Sequence, residues 1–64
     1  MLAGDLAIVR NVSTGAPTWV YELYRTGEPF LVLGDVHPGN TRDVRILHKG
    51  KRMMIMKKRL KVIS

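Results

Sequence analysis

Cysteine is absent from this 64-residue chain, so neither a disulfide framework nor a thiolate metal site can staple it. Aromatic residues are few: Trp19, Tyr21, Tyr24 and Phe30 are the whole set. No apolar run approaches the length of a membrane span. A secretory signal needs a basic start and an apolar stretch of seven or more residues. The opening Met-Leu-Ala-Gly-Asp has neither, and the expectation is a soluble intracellular protein. Acidic residues are scarce in one half only. Residues 1–41 carry Arg10 and Arg25 against Asp5, Glu22, Glu28 and Asp35, a net of −2, whereas residues 42–64 carry nine basic side chains against Asp43 alone, a net of +8. An asymmetry of this size fits a polyanion, an acidic protein surface, or simple solubility.

Catalytic signatures are also missing. His37 and His48 lie in separate turn regions with no serine or acid at a triad-like spacing. Asp5, Asp35 and Asp43 form no metal-ligand pattern, and two histidines alone cannot close a zinc site. The six glycines are scattered and make no phosphate-cradling loop. The sequence therefore predicts a non-enzyme with no cofactor, no metal, no small-molecule substrate and no membrane partner.

What is present is a series of short strand-like segments. The β-branched run Leu6–Val12 reads as a strand, followed by the turn-rich Ser13–Pro17. Thr18–Tyr24 has the length of a helix, but its aromatic and β-branched content favours extended structure. Phe30–Val36 is the clearest apolar run and ends at the turn signal His37-Pro-Gly-Asn40. Arg42–His48 and Lys51–Met56 flank Lys49-Gly50, the separation a tight hairpin needs. Lys57–Leu60 suits one 3₁₀ turn, and Lys61–Ile63 forms a last strand. Five short strands in one domain spanning 1–64 predict a small all-β barrel, which protects strand edges.

A two-residue loop sets His48 opposite Lys51, Leu47 opposite Arg52, Ile46 opposite Met53, Arg45 opposite Met54 and Val44 opposite Ile55. Opposed residues share a face. One face then collects Val44, Ile46, Met53 and Ile55 as core; the other collects Arg45, Leu47, Arg52, Met54 and Met56, flanked by Asp43. A one-residue slip would mix the two sets.

Gly4-Asp5-Leu6 opens a strand, a long excursion follows over 11–28, and a tight hairpin and one-turn helix lead to Leu60-Lys-Val-Ile-Ser64. In this layout the chain resembles the SH3-like barrel, with 11–28 in the place of the RT loop. More narrowly, it resembles short barrel proteins encoded in phage genomes, many of which open Gly-Asp-Leu and end Leu-x-Val-Ile-Ser. The resemblance implies a binding module in the cytoplasm of a host cell. The chain lacks the Ala-Leu-Tyr-Asp-Tyr-like run of peptide-binding SH3 domains, so proline-rich peptide binding is not implied.

Two sets of site residues follow. Arg42, Arg45, Lys49, Lys51, Arg52, Lys57, Lys58, Arg59 and Lys61 are expected to converge on one side of a barrel and attract the phosphates of a nucleic acid, with little sequence preference. Alternatively, Arg45, Leu47, Arg52, Met54 and Met56 form a mixed arginine–apolar face suited to a protein partner, as a virion component or a modulator of a host protein. A homodimer through that patch is compatible with either reading.

Overall fold

The computed structural model describes residues 2–64. It contains β1 (Leu6–Val9), α1 (Thr18–Thr26), β2 (Phe30–Asp35), β3 (Asp43–His48), β4 (Lys51–Met56), a single 3₁₀ turn (Lys57–Arg59) and β5 (Leu60–Val62). The strands form one sheet in the order β4-β3-β2-β1-β5, with every neighbouring pair antiparallel. This barrel-like arrangement, with a 3₁₀ turn before the last strand, is compatible with the SH3-like fold. No helix among the described residues is long and apolar enough to cross a membrane.

The core follows from the alternation of side chains along each strand. Ala7 and Val9 point inward from β1, Phe30 and Val32 from β2, Val44 and Ile46 from β3, and Ile55 from β4. Leu60 closes the cluster, with Met53 packed against it. The β3–β4 register is the one the two-residue loop dictates, from His48 opposite Lys51 to Asp43 opposite Met56. Between Val32 and Gly34 the β2–β3 register shifts, leaving Leu33 as an extra residue. Gly34 has φ +122°, a region L side chains rarely adopt, and the bulge it permits adds local bend and twist.

The turn type is also defined. Lys49 and Gly50 both take left-handed φ values, 50° and 77°, as a type I′ hairpin requires. Lysine is a poor choice there, because its Cβ crowds the following carbonyl, whereas asparagine tolerates this region. Lys49→Asn is therefore expected to raise stability by up to about 1 kcal/mol, read from the urea midpoint at unchanged m-value. A lower midpoint would show that the lysine makes a compensating contact.

One expectation is corrected. Residues 18–26 are helical, not extended, and the long first excursion carries a nine-residue helix. Intrinsic preference lost to burial and end signals. Val20 and Leu23 stand three apart, both face the core, and Trp19 packs beside them. Pro17 sits at the N-cap, where its carbonyl accepts from the N–H groups of Val20 (3.0 Å) and Tyr21 (3.3 Å). Gly27 ends the helix in the left-handed region at φ 69°, donating its N–H to the Leu23 carbonyl at 3.0 Å. Tyr21 and Tyr24 both end up exposed; the Tyr21 hydroxyl donates to the Ser13 carbonyl and ties the preceding loop to the helix.

Candidate functional site

The strand register determines what the outer surface of the sheet carries. Leu6 pairs with Leu31, Leu31 with Leu47, and Leu47 with Arg52, so one row crosses β1, β2, β3 and β4 on the face away from the core. Ile63 extends that row, its N–H donating to the Leu6 carbonyl at 2.8 Å. Leu6, Leu47 and Ile63 are 38%, 37% and 49% exposed. One step along the hairpin, Arg45 opposes Met54, which is 56% exposed. Arg45, Arg52, Met53 and Met54 line a shallow groove of about 270 Å³. The row is a surface feature made by three separate strand pairings.

The five residues assigned from sequence to this face therefore do come together, with Met56 half-buried at its margin. Leu6, Leu31 and Ile63 join them, although sequence reasoning missed all three. Strand alternation was the available signal: Ala7 and Val9 point into the core, so Leu6 points out. The long-range pairings that align it with Leu31 and Leu47 are not readable from local pattern.

The nine-residue basic set does not converge as expected. Arg59 is 7% exposed, so its side chain is withdrawn from the surface. Arg42 is ion-paired to Asp43 (Nη2–Oδ2 3.3 Å) and Lys57 to Asp35 (Nζ–Oδ1 2.9 Å). Lys61 lies on β5, at the opposite end of the strand order from Lys51 and Arg52 on β4. Lys58 is exposed on the 3₁₀ turn, its carbonyl accepting from the Arg10 and Asn11 side chains. Lys49 occupies the hairpin tip, and Lys51 shares a strand face with His48, not with the arginines. Charge adjacent in sequence is thus divided among several surfaces. Of the nine, Arg45 and Arg52, neither of them ion-paired, stand together in one groove with the exposed Met54.

Trp19 and Phe30 both serve the core, Phe30 buried and Trp19 partly so, its ring stacked on His48 at a centroid distance of 5.6 Å. Neither is free to stack an unpaired base. His37 is exposed in the loop before β3.

The margin of the face is fixed by Asn40. Its Oδ1 accepts from the backbone N–H groups of Arg42 and Asp43, both at 3.0 Å, and its Nδ2 donates to Asp43 Oδ2 at 3.2 Å. That hydrogen bond holds the Asp43 carboxyl below its ordinary pKa; desolvation opposes the shift, and the Arg42 guanidinium adds to it. Lys57, by hydrogen bond and charge, likewise lowers Asp35. A depressed carboxyl contributes stability above its unfolded pKa and loses it as pH falls through the folded value. Asn40→Ala should therefore destabilise at pH 7, with the gap from the parent narrowing as pH drops below about 4. Urea midpoints measured across that range check it; a gap that widened toward low pH would contradict the assignment.

No family model, curated protein or solved structure matches the chain.

Proposed function

We propose that the protein is a non-catalytic binding module whose outer sheet face docks an acidic, partly apolar surface of another protein. The observation that carries this reading is the register-built row Leu6–Leu31–Leu47, bordered by Met54 and two arginines without ion-pair partners. Arginine and methionine are enriched at protein interfaces and lysine is depleted. Exposed methionine adapts its shape to a partner at little conformational cost. A second copy of the chain fits less well. A two-fold contact would set Arg45 and Arg52 against their own copies, and Asp43, on the same strand as Arg45, is buried against Asn40 and Arg42. The resemblance to short phage-encoded barrels is consistent with a role on a virion or against a host protein.

Nucleic acid is the second reading. It rests on the net charge of +6 and on the exposure of Lys49, Lys51, Lys58 and Lys61. Affinity capture from cell extract, with and without nuclease, separates the two. Recovery of a protein that survives nuclease and is lost with Met54→Asp supports the sheet face. Recovery lost on nuclease treatment supports nucleic acid.

A further inference from the structure

Arg59 presents a problem that the sheet face does not solve. It is a permanently charged side chain, 7% exposed, and no hydrogen bond joins its guanidinium to any described residue. Its Nη1 is sealed from solvent without a partner. Neither ion pair of the described residues includes it. Burying an uncompensated charge is costly, and replacement of such a group by an apolar one is often neutral or stabilising. Packing alone therefore gives no reason for an arginine here.

The residue lines a pocket of about 220 Å³ whose apolar walls include Met54, Met56, Pro17 and Val20. Asp43 is the only other charged residue on its wall, and its Oδ2 is already engaged by Asn40 and Arg42. We infer that this cavity is a carboxylate site, in which a planar monoanion on an apolar stem accepts from Nε and Nη2 of Arg59, the guanidinium nitrogens that are not shut off as Nη1 is. Guanidinium and carboxylate match as two parallel N–H···O bonds, and the methionine and proline walls accept the stem. The Asp43 carboxylate on the same wall repels a phosphate dianion about twice as strongly as a carboxylate monoanion. The ligand group is either a free short-chain acid or a glutamate or aspartate side chain of a protein. The site shares Met54 with the sheet-face groove but rests on Arg59, and its test reads Arg59 rather than the sheet face.

The test titrates the ¹⁵N-labelled protein with sodium butyrate at constant ionic strength against sodium chloride. It follows the Arg59 Nε–Hε resonance and the thermal midpoint. Butyrate should shift that resonance saturably and raise the midpoint, acetate should do so more weakly, and inorganic phosphate least. Arg59→Met should lose the butyrate effect while melting at or above the parent without ligand. N-acetylglutamate amide run beside butyrate identifies the source: tighter binding of the capped residue points to a partner's acidic side chain, tighter binding of butyrate to a free acid. An Arg59 resonance that does not respond to any carboxylate overturns the inference. So does a midpoint rise equal in parent and Arg59→Met. If Arg59→Met fails to fold, the parent resonance decides alone.

Discussion

Ile46→Ala is expected to cost about 2–5 kcal/mol, a large part of the total stability of so small a domain. Ile46 is completely buried at the centre of β3, opposite Met53 on one side and Val32 on the other. Removing its three outer carbons forfeits their transfer energy and leaves a void that short strands on both sides cannot collapse around. Ile55→Ala should fall in the same range, because Ile55 is buried against Val44. Arg45→Ala and Arg52→Ala sit on the exposed side of the same two strands and should change stability by no more than about 0.5 kcal/mol. Urea unfolding followed by Trp19 fluorescence measures all four. Arginine variants that unfold while the isoleucine variants do not would show the hairpin faces to be reversed.

Met54→Asp should leave folding intact and reduce binding of a protein partner by a hundredfold or more, about 2.7 kcal/mol. The side chain is more than half exposed, so the fold loses little when it changes. At an interface the new carboxylate would be desolvated, and against an acidic surface it would meet like charge. Replacement of Lys58 by alanine is the control, since it lies on the 3₁₀ turn, away from the sheet-face row and its groove. It should lower affinity only modestly, and added salt should do the same. Nucleic-acid binding would behave oppositely, falling by orders of magnitude between about 50 and 200 mM salt and tolerating Met54→Asp. The two titrations, read by anisotropy or calorimetry, leave no shared outcome.

How far the sequence could be read depended on the distance over which each feature is determined. The β3–β4 hairpin was legible because Lys49-Gly50 and the alternation of Val44, Ile46, Met53 and Ile55 both act locally and agree on one register. The helix at 18–26 is obscured in the sequence because the β preference of Trp19, Val20 and Tyr21 opposes the spacing of Val20 and Leu23 and the cap at Gly27, which prevail once the helix packs on the core. Arg59 was grouped with the surface cations because charge in a sequence carries no record of depth; only the packing of the 3₁₀ turn under the first loop shows it. The candidate site was half visible: its hairpin residues come from local pairing, whereas Leu6 and Leu31 enter through contacts between distant strands.

The strand order also bears on how the chain reaches this state. Paired residues in the β3–β4 hairpin are at most 13 positions apart (Asp43 and Met56), while β1 meets β5 across 51 to 55 positions. Closing the longer loop costs more chain entropy, so the hairpin is expected to form early and the β1–β5 seam late. Mutations in the two regions should then act on opposite limbs of the kinetic profile. Val44→Ala should chiefly slow refolding, whereas Val9→Ala and Leu60→Ala should chiefly accelerate unfolding, as stopped-flow chevrons would resolve. The seam that joins the first strand to the last thus governs how long the native state survives, and the hairpin governs how quickly it is regained.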